Sequence, residues 1–166
     1  MTKRFDGVLF DAGGIFVIPD PVATSMALAP FGGTADHNQL MRSHYAGMEA
    51  LDAVASKRTD GSIDRITWDI YRRAYVAAAG VQTEHESEAA NAMRKLFSPY
   101  YWRFPLLESV AALSQLHYRR VPIGVVSNAS GQVEATLANL CICQVGPGAG
   151  VPVSIVTDSA VIGFAK

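Results

Sequence analysis

Cysteine is nearly absent, with Cys141 and Cys143 the only two in 166 residues. A single residue separates them and no second Cys or His pair lies near, so the usual zinc-site spacing is missing. Both read as reduced thiols, at least one of them buried. A disulfide framework is not required either, because a chain of this length buries a sizeable core by itself. Long hydrophobic runs are also missing. No stretch approaches the roughly 20 apolar residues that cross a bilayer. The apolar run after Met1-Thr2-Lys3-Arg4 is broken at Asp6 and again at Asp11, where a signal peptide needs an unbroken core. A cytoplasmic protein with no membrane role is the expectation. Charge of one sign is scarce too: 14 Lys and Arg face 15 Asp and Glu, for a formal net charge of -1. Without a basic excess, no nucleic-acid partner is expected. Internal repeats and low-complexity linkers are absent.

What is present is an alternation of short apolar strands with helical stretches. Phe5-Asp6-Gly7-Val8-Leu9-Phe10 is an apolar run that ends on Asp11 and two glycines, as a buried strand does where it meets a loop. From Asp20 to about Pro105 the pattern is helical and no strand is evident. Ile63, Ile66, Ile70, Tyr71 and Ala74 recur at three- and four-residue steps, with Gly80 at a helix stop. Further helices are predicted over Asn38 to Ser56 and Glu84 to Phe97, around a small core of Ile66, Ile70, Tyr71, Tyr75 and Leu96. Tyr100, Tyr101 and Trp102 form an aromatic cluster suited to packing a hinge. Pro105 opens a helix carrying Val110, Leu113 and Leu116 toward Arg119-Arg120. Val121 to Val126 is a second buried strand, Gly131 to Leu140 a helix, and Val153 to Thr157 a third strand. Strands spaced by helices predict a parallel sheet, whose neighbours need crossover connections.

Three segments carry polar groups to strand ends, the edge where ligands bind in open parallel sheets. In Val8-Leu9-Phe10-Asp11-Ala12-Gly13-Gly14-Ile15 a carboxylate is followed by glycines that let backbone approach a ligand. Alone, it reads equally well as an aspartate capping a turn. In Ile123-Gly124-Val125-Val126-Ser127-Asn128-Ala129 a hydroxyl and an amide arrive at the same edge, able to donate to an anionic oxygen or simply to begin a helix. Asp158-Ser159-Ala160-Val161-Ile162-Gly163-Phe164-Ala165-Lys166 ends on a lysine, which alone would be a solvated charge.

In this order the three segments resemble the first three signature motifs of the haloacid dehalogenase superfamily: nucleophilic Asp, then Ser or Thr at a strand end, then Lys. The resemblance spans essentially the whole chain and includes Ser127-Asn128-Ala129-Ser130-Gly131 and the closing Gly163-Phe164-Ala165-Lys166. More than a hundred residues separate Asp11 from Ser127, far more than one crossover helix needs. That excess is what a helical cap between the first and second motifs requires. The resemblance implies a three-layer, Rossmann-like α/β core over residues 1–19 and 105–166, with a helical cap over 20–104. It implies a hydrolase in which Asp11, Ser127 and Lys166 are catalytic. Ala12, Gly13 and Asn128 would touch substrate, and Asp11 with the Gly13 carbonyl would bind Mg²⁺. A carboxylate attacking phosphorus forms an acyl-phosphate that water then opens, and nearby positive charge offsets the repulsion between two anions. The leading expectation is thus a magnesium-dependent phosphatase of a small phosphorylated metabolite.

Two features depart from the pattern. Family phosphatases usually place a second aspartate two residues after the nucleophile, and here that position is Gly13. Relatives without it include carbon–halogen hydrolases, so a 2-haloacid dehalogenase is the alternative. The chain also stops at Lys166, before the acidic fourth motif and the last core strands, and is expected to be a shortened form with an incomplete metal site. A catalytically inactive relative serving as a binding module is therefore a third expectation. Self-association through an unpaired sheet edge is also expected. His44 and Tyr45 fall in the presumed cap and read first as packing residues; His37, His85 and His117 have no partner pattern.

Overall fold

The computed structural model describes residues 5–55 and 65–164, and the side chains of residues 55, 65 and 66 lie outside that description. In chain order the elements are β1 (Val8–Phe10), β2 (Val17–Pro19), α1 (Pro21–Leu28), α2 (His37–Ala55), α3 (Arg65–Ala78) and α4 (Glu86–Leu96). They continue as β3 (Trp102–Pro105), α5 (Leu107–Tyr118), β4 (Ile123–Ser127), α6 (Val133–Asn139), β5 (Cys143–Val145), β6 (Val151–Val153), β7 (Ile155–Asp158) and α7 (Ser159–Ile162). Two compact units result. One takes in the described residues up to Ile18 and those from Trp102 onward, and the other is Pro19–Tyr101.

The first unit is built on a parallel sheet of order β1-β4-β7. Phe10 pairs with Val125, and Ser127 with Asp158. Strand alternation sends Phe10, Ile123, Val125 and Val156 to one face. There they meet Leu113 of α5 and Val133 and Leu137 of α6 in a single buried cluster. Glycine decides the other face. A Cβ on Gly124 would fall 2.7 Å from Leu9 and 2.9 Å from Ile155, so only a bare backbone lets those side chains close over the central strand. Leu9 and Ile155 are exposed. Of the three expected layers, the described residues thus supply the sheet and one helical layer.

β5 and β6 are also parallel, yet only residues 146–150 join them. A crossover helix is replaced by a glycine-rich loop wound around one side chain. The Gln144 amide nitrogen donates to the carbonyls of Gly146 (3.3 Å) and Gly150 (3.1 Å), while its oxygen accepts from Gly150 N–H at 2.9 Å. Sequence periodicity does not show such a link, because the loop carries no apolar pattern at all.

The second unit, Pro19–Tyr101, holds α1 to α4 and is helical, as the three- and four-residue periodicity predicts. Asp20 caps α1, its Oδ1 accepting from Val22 N–H (2.9 Å) and Ala23 N–H (3.2 Å), with Pro21 at the first helical position. Tyr71 and Tyr75 lie in the core with Leu28, Leu40, Leu51, Val76 and Met93. Ile70 and Leu96, predicted beside them, are only half-buried, and the Ile66 side chain lies outside the described residues. Aromatic volume does the filling instead. Trp68 and Phe97 set their ring edges against Tyr71 at centroid distances of 5.4 and 6.1 Å.

One prediction corrects itself in physical terms: Pro105 does not open a helix but ends β3, and α5 begins at Leu107. The Leu106 N–H is taken by the Phe16 carbonyl at 2.9 Å, which holds this segment extended for two residues longer. The aromatic cluster is divided as well, with Tyr101 buried and Tyr100 exposed.

The contact between α2 and α3 is tight enough to reverse a helix-propensity rule. Gly47→Ala in an unencumbered helix gains about 1 kcal/mol. Here the new Cβ would sit 2.7 Å from the Tyr71 ring and 3.0 Å from the Tyr71 carbonyl oxygen, and that oxygen cannot swing aside. Overpacking of this kind costs about 1–3 kcal/mol. Gly47→Ala is therefore expected to lower the melting temperature in a thermal scan; an increase would mean that the two helices separate freely.

Candidate active site

The parallel register brings two of the sequence-predicted site residues to one edge. Ser127 is the last residue of β4 and is buried. Asp11 follows Phe10, so continuing the β1 register sets it beside Val126, one row from Ser127. The chain then turns sharply: the Ala12 carbonyl accepts from Phe16 N–H at 2.9 Å and Val17 N–H at 3.2 Å, and Gly14 N–H donates to the Val17 carbonyl at 2.8 Å. Gly14 has φ 73°, the left-handed region, which makes glycine the natural residue there. This compact turn fixes the backbone immediately after Asp11.

The Asp11 carboxylate is half-buried, and its Oδ1 accepts from the Ala12 N–H at 2.7 Å. The Ala12 N–H expected to face substrate is thus already engaged by the carboxylate it follows. Gly13 lies against Trp102 of β3. A Cβ at position 13 would meet the indole at 3.3 and 3.5 Å, tighter than most such contacts. The absence of a second aspartate two residues after Asp11 therefore has a structural counterpart, because an indole ring occupies the neighbouring space.

A shallow cavity of about 220 Å³ opens beside Ser127. Ser127, Asn128, Thr157 and Ser159 supply its polar side, and Ile162 and Phe164 its apolar side. Asp11 is not among its lining residues, although Val126 and Thr157, in the row that Asp11 extends, are. Lys166 lies outside the described residues.

Asp158 carried no role in the sequence reading, yet it is the buried carboxylate of this edge. Its Oδ2 accepts from Gly131 N–H (2.9 Å) and Val133 N–H (3.2 Å), and its Oδ1 from Ala160 N–H (3.0 Å). A Thr-Asp-Ser step leaving an apolar strand was the available signal, since Asp is a preferred helix cap.

The magnesium site implied by the resemblance would rest on the Asp11 carboxylate and the Gly13 carbonyl. Among the described residues, no three or more His, Cys, Asp or Glu side chains gather in a group able to hold a metal ion. Both oxygens of Asp158 already accept backbone hydrogen bonds.

The remaining singled-out residues have structural places. His44 is fully buried in the helical unit, hydrogen-bonded through Nδ1 to the Tyr71 hydroxyl at 2.9 Å, and burial holds its pKa down at about 4. Tyr45 is exposed. Cys143 is buried, which raises its thiol pKa to about 11, while Cys141 is exposed and both are free. Among the described residues, no helix is long and apolar enough to cross a membrane.

No protein-family model and no curated protein matches the chain. Solved structures do match it. A dehalogenase is 12% identical over 100% of this chain and 67% of its own length, with a TM-score of 0.48. An L-2-haloacid dehalogenase is 17% identical over 99% of this chain and 68% of its own, with a TM-score of 0.46. The L-2-haloacid dehalogenase of Xanthobacter autotrophicus is 16% identical over 98% of this chain and 60% of its own, with a TM-score of 0.43. The chain aligns with these three structures over nearly its whole length and spans 60–68% of theirs.

Proposed function

We propose that this chain carries the nucleophile-bearing part of a hydrolase that displaces halide from a small 2-haloacid, with Asp11 as the attacking carboxylate. The observation that carries this choice over phosphoryl transfer is Gly13 packed against Trp102. Expelling an alkoxide from a phosphomonoester calls for a proton donor beside the nucleophile, and position 13 offers none. Halide is a stable anion and leaves without a proton. In the first step an Asp11 carboxylate oxygen bonds to the carbon bearing the halogen, and the carbon–halogen bond breaks with its electron pair. In the second, water attacks the carbonyl carbon of the resulting ester, one water proton going to the alcohol product and the other to solvent, which regenerates Asp11. Ser127 and Asn128 donate hydrogen bonds to the substrate carboxylate, and Lys166 adds positive charge. Release of chloride from 2-chloropropionate, undiminished by a chelator, is the expected result. Hydrolysis of p-nitrophenyl phosphate that requires Mg²⁺, with no halide release, would overturn it in favour of the phosphatase.

The same observation makes a second prediction. If a missing acid were all that separated this chain from a phosphatase, Gly13→Asp would create phosphomonoesterase activity. With the indole so close, Gly13→Asp is expected to give no phosphate release and a lower melting temperature. Phosphate release from the single variant would show that Trp102 does not restrict the position.

A further inference from the structure

We infer that Asp158 is a positioning residue that sets the distance between the two walls of the cavity beside Ser127; this rests on reading that edge as the reaction site. The carboxylate is buried and lies next to Ser127 in the β4–β7 register. Capping α7 uses only Oδ1, which accepts from Ala160 N–H. Oδ2 reaches back across the sheet edge to Gly131 and Val133, in the segment that follows Ser127 and Asn128. Ser159 adds a second tie, its hydroxyl donating to the Ala129 carbonyl at 3.4 Å. The segment after β4 and the β7–α7 junction are thereby stapled through one charge-assisted acceptor. Ser127 ends β4 and Asn128 opens the segment after it, while Thr157 and Ser159 flank Asp158 at the end of β7 and the start of α7. These are the polar groups of the cavity. Capping α7 explains one hydrogen bond of the three, and the Oδ2 bond to Val133 N–H ties the first residue of α6 to the same carboxylate.

Two substitutions separate stapling from capping. Asp158→Asn sets an amide N–H against at least one of the donors it must accept from. Asp158→Ser keeps a good cap for α7 but is too short to reach Gly131 and Val133. For both, KM for the 2-haloacid is expected to rise about tenfold with kcat within about twofold, since substrate contacts are loosened while Asp11 is untouched. A role in stability alone lowers the amount of folded protein and hence the apparent kcat at unchanged KM, and that pattern in a folded Asp158→Ser would overturn the inference. If Asp158→Asn does not fold, Asp158→Ser decides. If the unsubstituted chain shows no Asp11-dependent turnover, the proposed reaction fails separately, and amide hydrogen exchange reads the staple by itself. Exchange at Gly131 and Val133 should then accelerate at least tenfold in Asp158→Ser while Leu113 in α5 is unchanged. Equal exchange at Gly131 and Val133 in both proteins overturns the staple.

Discussion

Asp11→Asn should reduce halide release on the order of 10⁴-fold or more, the scale of loss when a covalent nucleophile is removed. Asparagine matches aspartate in shape but lacks the negative charge that makes a carboxylate oxygen attack carbon. Asp158, the buried carboxylate described at this edge, already accepts three backbone hydrogen bonds and is not placed to substitute. Folding should be spared. The asparagine oxygen can still accept from Ala12 N–H, the contact that Asp11 makes at 2.7 Å. Halide release measured beside matched melting curves checks both halves. A variant that folds normally and keeps more than a tenth of the activity would remove Asp11 from the chemistry.

The second large effect concerns the helical unit and acid. His44 is buried beside Tyr71, and desolvation lowers its pKa from the ordinary 6.5 to about 4. Between those two values the unfolded chain binds a proton that the folded chain refuses, so stability rises with pH across that window. No penalty applies above about 6.5, and the full penalty is reached below about 4. Each pKa unit is worth about 1.4 kcal/mol, so the loss on acidification approaches about 3 kcal/mol. That is a large part of a typical domain's net stability. Carboxylates also titrate in this range, so the comparison is with His44→Gln, measured by urea unfolding at pH 4, 5, 6 and 7. The unsubstituted chain should lose stability more steeply than His44→Gln as pH falls. Parallel curves would show that the imidazole is not desolvated in the folded protein.

How much of this was legible beforehand depended on whether a signal was local. β1 and β4 were readable as short apolar runs, although β1, expected to be buried, leaves Leu9 exposed, and Asp11 and Ser127 were readable because they stand where those runs stop. The helical character of the inserted unit followed from its periodicity. Its core did not: period identifies a buried face, while choosing Tyr71 and Tyr75 over Ile70 and Leu96 depends on which helix lies opposite. The β5–β6 link escaped because its stability comes from the Gln144 side chain folding back on its own loop. Trp102 against Gly13 and Asp158 against Gly131 are contacts between residues far apart in sequence, and neither leaves a mark at either position alone. The departure at Gly13 was visible as a missing acid. Its physical setting was visible only with the indole in place.

The most direct test of Asp11 as nucleophile is one turnover in water enriched in ¹⁸O, with enzyme in excess over 2-chloropropionate. Attack by Asp11 transfers a carboxylate oxygen to the product, and water then replaces that oxygen on the enzyme. The expected result is an unlabelled hydroxy acid and an Asp11-containing peptide heavier by one ¹⁸O. Labelled product with an unlabelled peptide would mean that water attacks the substrate directly, and Asp11 would then not be the nucleophile.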